Sequence, residues 1–310
     1  MTGKQEAILS ELQESRQRFL ALVDEVRPEL HRYCARMTGS IADGEDVVQD
    51  ALARAYYELS ELKELPPLRP WLFRIAHNRA IDTLRRYERR MSEPLDTAME
   101  FAADAALEPD HALAHRDAVR TAISRFLELP PAQRSCVILK DVLEHSLDEI
   151  AALLELSLPA VKAALHRGRA RLRELAEASQ PRLVQRPASP ALARYAALFN
   201  ARDWDGVRAM LVDDVKLDLV SRVKREGRGP VSDYFSNYDK FSDWHLVPGW
   251  VEGHEVLTVF RDSRDARPGY FIELTLIEDR VAAIRDFRYV PYIAREAAIV
   301  LATNARADRA

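Results

Sequence analysis

The stretch from Pro70 to Arg86 carries residue types that recognise DNA, set at helical spacing. Its apolar residues recur at steps of three and four, so they share one side of a helix and face a core. The side chains Asn, Asp and Arg hydrogen-bond to base edges, and Arg also binds phosphate. With the flat ring of Trp71 at its head, the segment predicts a helix that opens or holds single-stranded DNA. The polar side of this helix contains Arg74, Asn78, Arg79, Asp82, Arg85 and Arg86.

A plainer interpretation of the same stretch is an amphipathic surface helix whose arginines are only solvated. Trp71 has two alternatives of its own, since it can wedge into a duplex or pack against the core. Packing is the favoured alternative for this tryptophan.

A second segment, residues 146–173, has the pattern of a helix-turn-helix. Ser146 and Glu149 form a capping-box signature, and Ser157 is a natural N-cap for the second helix. Glu155 stands in the turn, where many such motifs carry Gly. The pattern predicts a helix N-terminus in the major groove with later arginines on phosphates; the alternative is a helical hairpin with a basic side. The basic strip of the second helix contains Lys162, His166, Arg167, Arg169, Arg171 and Arg173.

Both segments resemble parts of one protein family. The sequence Asp-Val-Val-Gln-Asp at 46–50, followed by Trp-Leu-Phe-Arg-Ile-Ala-His-Asn from Trp71, resembles conserved region 2 of the sigma-70 family in its small extracytoplasmic-function (ECF) class. The helix-turn-helix resembles region 4 of that family.

The resemblance implies roles for named residues. The helix from Asp43, its expected N-cap, to Tyr56 would bind core RNA polymerase, and the helix-turn-helix would read the −35 element. The helix after Trp71 would recognise and melt the −10 element, with Asn78 and Asp82 on unstacked bases. The phosphate contacts would be Arg79, Arg85 and Arg86. The polymerase contacts would be Asp43, Asp46, Gln49, Asp50 and Arg54.

A third segment, from about Ala191, changes to helices followed by alternating strands. Helical patterns at 192–199 and up to Leu211 precede a short helix at 231–235. The order resembles the SnoaL-like, nuclear-transport-factor-2-like family, a curled antiparallel sheet packed on helices as a cone. The predicted strands are 215–220, 250–252, 256–261, 270–277 and 281–290.

Such cones can hold a small molecule, so this segment has a candidate pocket. Asp218 and Asp286 are candidate general bases because some relatives of the fold use a carboxylate on an apolar wall. The structural alternative is that the aromatics are core and the strand carboxylates face solvent. Fold analogy alone does not establish catalysis, and we expect no enzyme activity. The candidate pocket residues are Trp204, Asp218, Trp250, Phe271 and Asp286.

These segments predict a multidomain chain with two all-α sigma domains and an α+β SnoaL-like cone. The expected boundaries place region 2 at 1–90, an acidic linker at 91–115 and region 4 at 116–178. A proline-punctuated linker at 179–190 and the cone at 191–300 follow.

The chain has 310 residues and a net charge of −4, so any DNA-binding charge must be local. Its two cysteines, Cys34 and Cys136, lie in apolar patterns without zinc or disulfide spacing. We find neither a membrane-span pattern nor a signal peptide, and expect a cytoplasmic location without cofactor or metal.

The leading hypothesis is an ECF sigma factor regulated by its C-terminal domain, in either direction. Its expected partners are core RNA polymerase, promoter DNA, and an anti-sigma factor or a small-molecule ligand of the C-terminal domain, with no membrane. Two rival hypotheses are a DNA-binding regulator that acts without polymerase and a small-molecule enzyme in the third segment.

Overall fold

The computed structural model describes residues 3–59, 61, 66–92, 123–178, 186–240, 244–262 and 264–303. They form two compact units. Among these residues, the first unit contains 3–92 and 123–178, and the second contains 186–303. Most of the expected linker at 91–115 and most of that at 179–190 lie outside the described residues.

The first unit is helical. Its helices are α1 (Gly3–Thr38), α2 (Ile41–Leu59), α3 (Leu68–Ser92), α4 (Pro131–Val137), α5 (Leu147–Leu154) and α6 (Leu158–Ala178). A 3₁₀ turn at Ser124–Glu128 precedes α4, and a π turn at Ile138–Val142 follows it. Helix α1 ends at Thr38, and Gly39 follows with a φ of 78°.

The N-cap of α2 differs from the prediction. The prediction of Asp43 as cap is wrong because α2 begins two residues earlier, and the Asp43 amide donates to Oγ of Ser40 at 3.2 Å. Asp43 lies in the first helical turn, where a carboxylate interacts favourably with the helix dipole.

The second unit combines helices with a seven-stranded sheet. Its helices are α7 (Pro190–Asn200), α8 (Trp204–Ala209), α9 (Arg228–Asp239) and α10 (Tyr292–Glu296). Its strands are β1 (Leu211–Leu219), β2 (Val223–Glu226), β3 (His245–Val251), β4 (His254–Phe260), β5 (Tyr270–Ile277), β6 (Arg280–Asp286) and β7 (Ile299–Leu301). The strand order is β2-β1-β6-β5-β4-β3-β7, and β1 with β6 is parallel while the other pairings are antiparallel.

The α+β architecture predicted for the third segment is confirmed, with corrections to its strands. The strand predicted at 250–252 is the end of β3, which begins at His245. The strand predicted at 281–290 ends at Asp286, because the chain then turns and Val290 donates to the carbonyl of Phe287. Both β2 and β7 were missed; β2 is four exposed charged and apolar residues, which carry no burial pattern.

Candidate nucleic-acid interface

Helix α3 has the two unlike sides that its sequence predicts. Leu72, Phe73, Ala76 and Ala80 are buried in the core of the first unit. Trp71 is also buried, with 6% of its surface exposed, so in this structure it packs rather than wedges. The helix therefore presents a continuous polar side on a rigid support.

The predicted −10 contacts lie on that polar side. Asn78, Asp82, Arg85 and Arg86 are exposed, and Arg79 is half-buried. Arg86 donates to the Thr83 hydroxyl at 3.2 Å, which holds its guanidinium close to the helix surface. Exposed amide, carboxylate and guanidinium groups on one helix can hydrogen-bond to bases and phosphates together.

Helix α2 presents part of the predicted polymerase-binding set. Asp46 and Asp50 are exposed, whereas Asp43 and Gln49 are half-buried. Arg54 forms an ion pair with Glu58 one turn along the same helix, at 2.5 Å. Such exposed pairs contribute little to stability, so Arg54 remains available to a partner.

Sequence reasoning missed the acidic residue that fixes α2 in place. Glu45 is fully buried and forms an ion pair with Arg27 of α1. Its position between Asp43 and Asp46 gave no signal, because a run of carboxylates is usually solvated.

The helix-turn-helix forms as predicted. Ser146 accepts from the Glu149 amide at 3.2 Å, and the Glu149 carboxylate accepts from the Ser146 amide at 2.7 Å. These bonds lower the pKa of Glu149. Glu155 adopts the left-handed conformation, with a φ of 55°, that Gly provides in many such turns, and Ser157 caps α6 by accepting from the Ala160 amide at 3.3 Å.

The structure divides the predicted basic strip of α6 into two groups. Lys162, His166 and Arg167 are exposed near the N-terminal half of the helix. Arg169 instead donates twice to Asp141, once from Nε at 2.9 Å, and Arg171 pairs with Glu174 at 3.1 Å. The first group has free side chains for DNA, whereas Arg169 ties α6 to the π turn.

Gly168 lies where α6 packs closely against α4. A Cβ at this position would lie 2.7 Å from Cγ2 of Val137 in α4. The glycine costs helix propensity, but it lets the two helices approach closely.

In the second unit, the predicted pocket residues have different partners. Trp204 packs edge-on against Phe199, and its indole nitrogen donates to Asp239 at 3.0 Å. Trp250 donates to the carbonyl of Arg186 at 3.3 Å. Asp218 lies within 3.5 Å of Lys224 and 3.9 Å of Arg285 in a cross-strand charge row, as the solvent-facing alternative predicted.

Phe271 and Asp286 are buried in separate surroundings. Phe271 packs on Phe287 with ring centroids 4.6 Å apart. Asp286 is fully buried and accepts from the Tyr234 hydroxyl at 2.9 Å, the Tyr238 hydroxyl at 2.8 Å and the Arg288 amide at 2.9 Å. Burial raises the pKa of Asp286, while these donors oppose that shift.

The arrangement around Asp286 is that of a structural carboxylate. Its acceptors are already engaged by protein donors, and one donor, Tyr238, also bonds with the Tyr270 hydroxyl at 2.9 Å. A general base must offer a lone pair to a substrate proton, which this geometry does not show. Among the described residues, no group of three His, Cys, Asp or Glu is placed to hold a metal ion.

Two parts of the chain match models of one protein family. Residues 22–90 match the model of sigma-70 region 2, and residues 117–172 match that of sigma-70 region 4. The ECF RNA polymerase sigma factor SigW of Bacillus subtilis is 32% identical over 164 residues, which cover 50% of this chain and 87% of SigW. The chain belongs to the ECF sigma factor family.

Two further members of the ECF sigma factor family are similar over more of the chain. SigG of Mycobacterium tuberculosis is 33% identical over 220 residues, covering 62% of this chain but only 58% of SigG. The crystal structure of SigJ of Mycobacterium tuberculosis is 20% identical, covers 86% of this chain and 95% of SigJ, and has a TM-score of 0.35. None of the described helices is both long and apolar enough to cross a membrane.

Proposed function

We propose that this sigma factor binds core RNA polymerase and directs promoter recognition and melting for transcription initiation. The observation that carries the proposal is the polar side of α3, where exposed Asn78 and Asp82 stand beside exposed Arg85 and Arg86 above a buried apolar side. Flipping a base out of the stack costs a few kcal/mol, so base and phosphate contacts must act together to offset it. This side of α3 supplies both kinds of contact.

Helix α6 supports the second half of the proposal. Its N-terminus is exposed from Ser157 to Ala160, followed by Lys162, His166 and Arg167. A recognition helix of a helix-turn-helix reads base edges with its first residues and contacts phosphates with later ones. We assign this surface to the −35 duplex, with Arg169 and Arg171 as weaker contacts because both are paired within the protein.

The polymerase contact is assigned to α2, through Asp46, Asp50 and Arg54 with Asp43 and Gln49 at its margin. The C-terminal unit is proposed to regulate the factor, through an anti-sigma factor or a small-molecule ligand. The factor would act in the cytoplasm, where polymerase and DNA meet.

Binding to core polymerase tests this function against a regulator that acts alone. Purified chain is mixed with core polymerase and run on a sizing column, alongside Asp50→Lys. Asp205→Lys is the matched control, because it makes the same charge change at a side chain that is 98% exposed in the second unit.

We expect wild type and Asp205→Lys to co-elute with polymerase, and Asp50→Lys to bind at least about tenfold more weakly, as for a charged contact at an interface. Absence of a complex with wild type would exclude the sigma function. Equal binding by Asp50→Lys would exclude the assignment to α2.

A further inference from the structure

The described part of the second unit begins with an extended segment that is tied to the end of the same unit. This entry segment, residues 186–189, precedes α7. The carbonyl of Arg186 accepts from the amide of Thr303, which follows β7, at 3.1 Å. The same carbonyl accepts from the indole nitrogen of Trp250 on β3 at 3.3 Å. One oxygen atom therefore joins the first and the last described residues of this unit.

Glu255 of β4 holds the other end of the entry segment. Its Oε1 accepts from the Ser189 amide at 2.6 Å, and its Oε2 accepts from the Ser189 hydroxyl at 2.6 Å. Hydrogen bonds to a carboxylate are shorter and stronger than those between neutral groups. The same hydroxyl accepts from the Leu192 amide at 3.3 Å and so caps α7. Glu255 therefore makes the strongest hydrogen bonds of the entry segment.

The two side chains that anchor the entry segment belong to one row across the sheet. Trp250 and Glu255 lie directly opposite each other on β3 and β4. Trp250 also lies opposite Val300 of β7. The entry segment therefore depends on the strand pairing at this edge of the sheet as well as on Glu255.

Strand β7 has few contacts to hold it in place. It contains three half-buried residues, Ile299–Leu301, and lies at the edge of the sheet beside β3. After it, the Ala302 amide donates to the carbonyl of Pro248 at 3.0 Å. Short segments with few buried apolar contacts are the ones that open locally at the lowest free energy. The hydrogen bond from Thr303 to Arg186 is therefore a large part of what holds the end of this unit.

We infer that the entry segment and β7 form a clasp that opens and closes as a unit, with Glu255 holding it closed. When Ser189 leaves Glu255, the entry segment moves away and the Arg186 carbonyl leaves both Thr303 and Trp250. When β7 leaves β3, Arg186 loses the Thr303 amide. Coupling of this kind is reciprocal, so a change at either end of the unit alters the stability of the other end.

The clasp also bears on the regulatory role of the second unit, and this part of the inference rests on the proposed function. Helix α6 ends at Ala178, so residues 179–185 connect it to the entry segment. Opening the clasp adds residues 186–189 to that connection, about 14 Å when extended. The clasp therefore sets the length of chain by which the second unit is attached.

Hydrogen exchange of the full chain, followed on peptides by mass spectrometry, tests the clasp. Glu255→Gln keeps the size of the side chain and replaces one acceptor oxygen with an amide nitrogen. Glu226→Gln, at an exposed residue of β2, is the matched control. We expect Glu255→Gln to speed exchange at least about tenfold in peptides containing Ser189 and in those containing Thr303, as for a lost hydrogen bond to a charged group. Glu226→Gln should exchange as wild type does.

Three results would overturn the clasp. Faster exchange at Ser189 with wild-type exchange at Thr303 would exclude the coupling of the two ends. Wild-type exchange at Ser189 would exclude the role of Glu255. Equally faster exchange in β5 and β6 would show that the variant destabilises the whole unit.

Trp250→Phe serves if Glu255→Gln fails to fold. It keeps an aromatic ring beneath the Arg186 guanidinium, which lies 5.9 Å from the ring centroid, and removes the indole N–H. We expect it to speed exchange about fivefold at both Ser189 and Thr303. Wild-type exchange in this variant would overturn the role of the shared Arg186 carbonyl.

Transcription with core polymerase tests the regulatory use of the clasp. We expect Glu255→Gln to change the transcript yield about fivefold, as for coupling between two sites, and Glu226→Gln to leave it unchanged. Equal yields from Glu255→Gln and wild type would overturn the regulatory use. Lack of transcription with wild type would overturn the proposed function instead, and hydrogen exchange would still decide the clasp because it needs no polymerase.

Discussion

At the scale of single residues, the same side-chain type does different work according to its burial. Asp82 and Asp50 are exposed on helices and available to partners, whereas Asp286 is enclosed by two tyrosine hydroxyls and a backbone amide. A buried carboxylate with several donors organises the groups around it, and its loss leaves each donor without an acceptor.

Replacing Asp286 tests its structural role. We expect Asp286→Ala to lower the free energy of unfolding of the second unit by at least about 2 kcal/mol, since two buried hydroxyls and a partly buried amide lose their acceptor. Asp218→Ala is the control and should cost less than about 1 kcal/mol, because its ion pairs are partly exposed. Urea unfolding, monitored by tryptophan fluorescence, measures both losses. Equal losses in the two variants would contradict the structural role of Asp286.

The sequence predicted exposed residues better than buried polar ones. The spacing of Asn78 and Asp82 was enough to predict that both lie on the exposed side of α3, because the helical period fixes the side on which a residue lies. Nothing comparable pointed to buried Arg134, which donates to the carbonyl of Met37, 97 residues away in the chain. The same holds for Tyr33, whose hydroxyl donates to Oγ of Ser135, 102 residues away. Long-range contacts of this kind leave no local pattern to read.

At the scale of elements, helix signals in the sequence were more informative than strand signals. Ser146 with Glu149 and Ser157 predicted the starts of α5 and α6, because capping is a local interaction. The parallel pairing of β1 with β6 depends on the whole sheet. Trp250 lies on β3 and Asp286 on β6, which are not neighbours in the sheet, and alternation along a strand does not say which strands are neighbours.

The contact between α1, α3 and α4 makes the first unit sensitive to acid. Burial lowers the pKa of His77 to about 4 from 6.5. A histidine with a depressed pKa contributes stability above pH 6.5 that is lost as the pH falls through 4, because the unfolded chain takes up the proton first. We expect the first unit to lose about 2 kcal/mol between pH 7.5 and pH 5.

Hydrogen exchange of peptides from α1 and α3 in urea measures this loss. His77→Gln should flatten the pH dependence, while His166→Gln, at an exposed histidine of α6, should leave it as in wild type. The same pH dependence in all three proteins would show that another group is responsible.

At the scale of the whole molecule, the chain is two compact units that carry different kinds of chemistry. The first places α3 and α6, the two helices proposed to read DNA, on one shared core. The second is a seven-stranded sheet and helices around an aromatic core, with a regulatory role proposed for it. The composition predicted only that any DNA-binding charge must be local, because the net charge is −4.

Mapping transcript starts tests the central claim most directly. Core polymerase is given sheared DNA of the genome that encodes this chain, with or without the chain, and the 5′ ends of the transcripts are sequenced. The account predicts new starts that require the chain and share two upstream motifs about 25 base pairs apart, or about 85 Å of duplex. Asn78→Ala with Asp82→Ala should lose most of them, by at least about tenfold. No new starts in the presence of the wild-type chain would contradict the account.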